Sequence, residues 1–157
     1  MTRYTVRDWN TYFSIPWYVT ALTVVNGACS VRTNNVVDLS SFKFLRSVVI
    51  GDNCFNYVPM LTIVGLNWLE SVSIGTYSFG SDGSLCEGSE FKIVNCPQLK
   101  SLSIGYRSFG RYNGFELSEL PQLKSVEIVS DRYNNGHGFQ YAPKAVFRGM
   151  NDGRDGL

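Results

Sequence analysis

Apolar residues recur along this chain in two short alternating frames. The first reads L-x-x-L/V-x-I/V-G and occurs as Val19-Leu22-Val24, Leu45-Val48-Ile50-Gly51, Leu69-Val72-Ile74-Gly75, Leu99-Leu102-Ile104-Gly105 and Leu123-Val126-Ile128. In the middle three copies a Phe stands four residues after the Gly, as Phe55, Phe79 and Phe109. The second frame occurs as Val37-Leu39-Phe42-Leu45, Leu61-Ile63-Leu66-Leu69, Phe91-Ile93-Cys96-Leu99 and Phe115-Leu117-Leu120-Leu123, with a partial copy at Ala145-Phe147-Met150. Alternation with a period of two over a short run is the mark of a half-buried strand. The Gly, Asn, Asp and Pro between the frames are turn formers, and no segment carries the apolar stripe of a helix. The pattern predicts strand, turn, second extended segment, turn.

The two frames return together. CPQLKSLSIG at 96–105 comes back as LPQLKSVEIV at 120–129, and units begin near 19, 45, 69, 99 and 123, with intervals of 24 residues recurring. One such unit buries about six apolar side chains worth ~1.5–3 kcal/mol each. It must also order some two dozen residues at ~1–2 kcal/mol of backbone entropy each. A lone unit cannot fold on that balance, whereas stacked units share one apolar column and bond backbone to backbone. The expected fold is one mainly β domain, a solenoid of about five ~24-residue units. Residues 1–18, with Trp9, Tyr12, Phe13, Trp17 and Tyr18, are expected to cap the open end of residues 19–150. The polar tail 151–157 makes a poor second cap and reads as the edge of a longer array. Insertions at 80–90 and 130–142 are expected to form surface loops.

A family resemblance follows from these letters. LKSLSIGYRSF fits the L-x-x-L-x-L frame of leucine-rich repeats, and FELSELPQL fits the returning half of a 24-residue version. IPWYVTALTV is similar to the I-P-x-x-V-T-x-I segment of the BspA-like subset, found in bacterial and protist surface proteins. Over about residues 16–150 the chain resembles this superfamily, which implies a leucine-rich-repeat solenoid with little helix. Where such repeats usually hold Asn, the chain varies through Asn53, Tyr77 and Arg107. A right-handed parallel β-helix is the alternative solenoid.

Charge and composition narrow the function. Fourteen Lys and Arg against thirteen Asp and Glu leave a net charge of +1, so no global field draws in nucleic acid or an anionic membrane. The richest apolar run, Phe13 to Val25, is broken by Ser14, Pro16, Thr20 and Thr23, which argues against membrane insertion. The NGACS around Cys29 lacks the residue a lipoprotein cleavage site needs, and no N-x-[ST] acceptor occurs. Cys29 falls in the Phe55, Phe79, Phe109 column and Cys96 in that of Leu66 and Leu120. Cys54 takes the place of Ser78 and Ser108, and Cys86 lies in an insertion. Such thiols read as reduced core residues and weakly favour a cytoplasmic setting.

Catalytic chemistry finds little footing. The only histidine, His137, sits in the turn NNGHG with no nucleophile beside it. Dispersed Cys and one His offer no metal cluster, and no phosphate loop is present. The columns Asp38, Thr62, Lys92, Glu116 and Arg46, Glu70, Lys100, Lys124 mix signs, unlike a paired-carboxylate centre. Ser47, Ser71, Ser101 and Ser125, with Val49, Ser73, Ser103 and Glu127 two residues on, should form the exposed face of the first sheet. Variety gathers just past the Gly, so a contact surface is expected through Tyr77, Tyr106, Arg107, Arg111 and Tyr112. The resulting expectation is a non-catalytic, cofactor-free module that binds a protein partner or serves adhesion. A β-helix enzyme acting on carbohydrate and a fragment associating end to end through unpaired edges are the alternatives.

Overall fold

Each alternating run becomes a short strand, and the computed structural model orders them as follows. The chain runs β1 (Arg3–Val6), α1 (Trp9–Tyr12), β2 (Ala21–Val24), β3 (Val37–Asp38), β4 (Ser47–Ile50), β5 (Met60–Val64), β6 (Ser71–Ile74), β7 (Glu90–Val94), β8 (Ser101–Ile104), β9 (Gly114–Leu120), β10 (Ser125–Ile128) and β11 (Lys144–Met150). The structure describes residues 1–80, 88–110 and 112–129, and the backbone of 144–150. Cys86, Arg111, His137, the 130–142 insertion and the tail 151–157 lie outside the described residues.

The strands make two parallel sheets, six-stranded in the order β1-β2-β4-β6-β8-β10 and five-stranded in the order β11-β9-β7-β5-β3. The fold is mainly β, and α1 is the one helix among the described residues. From β2 onward the chain alternates between the sheets, so the first frame supplies one and the second frame the other. Register follows the letters: Leu22, Val48, Val72, Leu102 and Val126 pair in one file, and Leu61, Phe91 and Phe115 in another. The partial copy also falls in register, Ala145 opposite Phe115 and Met150 opposite Leu120.

The N-terminal segment holds a strand that the alternation frames do not pick out. Tyr4 and Val6 of β1 pair with Leu22 and Val24 and point inward, which extends the six-stranded sheet. After it, Asp8 caps α1: its carboxylate accepts the Thr11 N–H at 2.8 Å, and the Thr11 hydroxyl oxygen accepts the Asp8 N–H at 3.0 Å. Trp9 and Tyr12 then lie 5.7 and 6.0 Å from the Phe55 ring.

Matching positions of successive segments pack on one another. Phe55, Phe79 and Phe109 stack at 5.2 and 4.7 Å, and each is buried. All three sit at positive φ (55°, 55° and 60°), as does Cys29 at 58°. An L-residue there gives up roughly 1–2 kcal/mol, offset here by burial of the rings at ~1.5–3 kcal/mol each. Gly75 and Gly105 answer a different demand: an added Cβ would stand 2.7 Å from the Gly51 carbonyl carbon and 2.5 Å from that of Gly75. Backbone lies directly on backbone at this column, and only hydrogen fits between.

Polar bonds bind the same turns together. The Ser78 hydroxyl donates to the Gly51 carbonyl at 2.7 Å and accepts the Cys54 N–H at 3.1 Å. One unit later Ser108 does the same to Gly75 and Ser78. Asn26 and Asp52 add a parallel line, their side-chain oxygens accepting the N–H of Asp52 and of Thr76 at 2.8 Å each. Side-chain bonding of the turn therefore comes from Ser and from Asn or Asp on either side of the Asn53, Tyr77, Arg107 column, which joins neighbouring turns through its backbone.

Candidate interaction surface

The six-stranded sheet turns one face away from the core. Its floor consists of two files in register: Ala21, Ser47, Ser71, Ser101, Ser125 and Thr23, Val49, Ser73, Ser103, Glu127. None of these residues is buried, whereas Leu22, Val48, Val72 and Leu102 between them are. The floor is low and nearly uncharged, so directional chemistry must come from its margins.

One margin lies at the C-terminal ends of the strands. Tyr77 and Tyr106 meet edge to face at 5.6 Å, and the Arg107 guanidinium carbon stands 5.3 Å from the Tyr106 ring centre. The Tyr77 N–H donates to the Tyr106 carbonyl at 2.8 Å, which fixes the two residues side by side. The fold thus brings together three of the five residues picked from the sequence, with Tyr77 well exposed. Arg111 lies outside the described residues. Tyr112 needs correction: it is fully buried, packs on Phe109 at 4.9 Å and donates its hydroxyl to the Val58 carbonyl. Its ring closes the phenylalanine column, so it belongs to the core and not to a contact surface.

The opposite margin, at the N-terminal ends of the same strands, carries a row of rings that the variable positions past the Gly do not indicate. Tyr18, Phe44 and Trp68 occupy the same place in three neighbouring units and are 49%, 47% and 53% exposed. Gln98 and Gln122 continue the file. Backbone bonds two residues further on prove the alignment, Arg46 N–H to Thr20 at 2.7 Å and Glu70 N–H to Arg46 at 2.8 Å. Trp17 flanks the row, 5.3 Å from Tyr18 and 5.9 Å from Phe44. Arg46 leans over Trp68 at 5.8 Å and reaches Glu70 at 4.0 Å. A signal was available: each ring immediately precedes the first apolar letter of a frame, where a solvent-facing turn has no packing need for an aromatic residue.

Reactive chemistry is sparse among the described residues. Cys29, Cys54 and Cys96 are free and buried. Burial pushes the Cys29 thiol up to about 12, and also raises Cys54 and Cys96, so all three stay protonated and poorly nucleophilic. Among the described residues no group of three or more His, Cys, Asp or Glu could hold a metal ion. In the same residues no helix is long and apolar enough to cross a membrane. Elsewhere, Arg32 lies 4.6 Å over the Tyr57 ring beside an open depression lined by Thr33, Asn34 and Pro59. No protein-family model, curated protein or solved structure matches the chain.

Proposed function

We propose that this chain is a non-catalytic protein-interaction or adhesion module, its two parallel sheets forming a solenoid of the leucine-rich-repeat kind. The observation that carries the reading is the exposed row Tyr18, Phe44 and Trp68. Large rings held half in water at neighbouring equivalent positions gain most of their burial energy only against a partner. Trp, Tyr and Arg are also the side chains that dominate interface energetics. Tyr77, Tyr106 and Arg107 supply the same chemistry at the other ends of the strands. A frame bonded unit to unit presents both margins with little ordering cost on binding.

The test is capture from a source lysate by the immobilised chain, comparing wild type with Trp68→Ala and with Tyr106→Ala/Arg107→Ala. The expected result is a specific partner retained by wild type and lost with one or both variants. Absence of any specific partner would sink the reading, and turnover of a polysaccharide by the chain would replace it with an enzymatic one.

A further inference from the structure

The aromatic file has a direction and a step. It runs Tyr18, Phe44, Trp68, Gln98, Gln122 across neighbouring strands, and the file beside it runs Thr20, Arg46, Glu70, Lys100, Lys124. Adjacent strands stand about 4.7–4.9 Å apart, so the backbones of positions two units apart, such as Tyr18 and Trp68, are about 9.4–9.8 Å apart. A polyproline II helix has three residues per turn and rises 3.1 Å per residue, so its side chains i and i+3 repeat at about 9.3 Å on one face. The two spacings agree.

Hydrogen-bonding character points the same way. The file and its neighbour offer the Trp68 indole N–H, Arg46, Lys100 and Lys124, which only donate, and the Tyr18 hydroxyl and the Gln98 and Gln122 amides, which donate and accept. The carboxylate among them, Glu70, lies 4.0 Å from Arg46. A surface rich in donors suits a ligand rich in acceptors. Proline has no N–H, and polyproline II makes no internal hydrogen bonds, so its carbonyls are open.

Resting on the interaction reading above, we propose that the Tyr18, Phe44, Trp68 file takes a proline-rich polypeptide in the polyproline II conformation. Prolines at i and i+3 lie on Tyr18 and Trp68, and the ligand carbonyls accept from Gln98, Gln122 and the neighbouring cations.

The experiment is titration of the full chain with a synthetic oligoproline peptide, followed by tryptophan fluorescence and calorimetry. Saturable binding is expected, weakened about tenfold or more by Trp68→Ala and largely retained by Trp68→Phe. Circular dichroism matching wild type checks that Trp68→Ala folds. Three results overturn the proposal: no saturable response, an equal response to a Gly/Ser peptide of the same length, or saturation by a neutral oligosaccharide but not by oligoproline. A lysate partner lost with Trp68→Ala, alongside no oligoproline binding, would overturn this inference and leave the interaction reading standing.

Discussion

The Ser108 hydroxyl donates to the Gly75 carbonyl at 2.6 Å across two neighbouring units, and its oxygen accepts the Ser78 N–H at 3.0 Å. One side chain thereby satisfies two backbone groups that the turn would otherwise strand away from water. Ser108→Ala is expected to cost about 1–3 kcal/mol, the penalty for orphaning buried polar groups. Ser108→Cys should cost less, since Cys54 holds the equivalent place and its thiol reaches the Val25 carbonyl at 3.0 Å. Urea unfolding curves of the two variants decide the matter, and an unshifted midpoint for Ser108→Ala would refute it.

Gly75 tests the close approach of backbone. Its added methyl would meet the Asp52 carboxylate oxygen at 2.3 Å and the Gly51 carbonyl carbon at 2.7 Å. Gly75→Ala should therefore destabilise the fold by about 1–3 kcal/mol through overpacking. A melting temperature equal to wild type would show that the units slide apart freely.

Tyr112→Phe separates core from surface. Removing the hydroxyl that bonds the Val58 carbonyl should lower stability by about 0.5–1.5 kcal/mol and leave partner binding unaffected. Lost binding with unchanged stability would return Tyr112 to the contact surface.

The buried thiol and phenol set an alkaline limit. Burial raises Cys29 from 9.0 to about 12, and raises Tyr12 from 10.0 to about 12. In the unfolded chain these groups ionise at their lower values, so between pH 9 and 12 the folded state binds more protons. Stability is then full below pH 9, falls as pH rises towards 12 and levels off above it. Denaturant midpoints measured across that range check the slope, and a flat profile would contradict it. Alkylation near pH 8, read by peptide mapping, should leave Cys29, Cys54 and Cys96 unmodified until the chain unfolds.

Much of this architecture is legible in the letters because apolar alternation acts locally. Leu22, Val48, Val72 and Leu102 announce inward-facing strand positions wherever they occur, and their pairing in one file follows from equal spacing to the next turn. The frames that predict two extended segments per unit correspond to the strands of the two parallel sheets. The serine floor was legible for the same reason. Strand β1 was not, since RYTV matches the alternation without the flanking Leu or Gly that mark the other copies.

The sequence by itself determined which side chains face inward along β2 and β4 to β8, because a period of two needs no knowledge of neighbours; in β9 the adjacent Leu117 and Ser118 are both buried, and in β10 Ile128 is exposed. Tertiary structure alone decided what happens at the turns. Tyr106 and Tyr112 are both tyrosines a few residues past the same strand, yet one lines an edge and the other is buried on Phe109. Only contacts between units distinguish them: the phenylalanine stack draws Tyr112 in, and the left-handed turn at Arg107 (φ 58°) leaves Tyr106 at the margin. The row Tyr18, Phe44 and Trp68 likewise exists only once backbone bonds align three distant segments, since no two of its members are near in sequence.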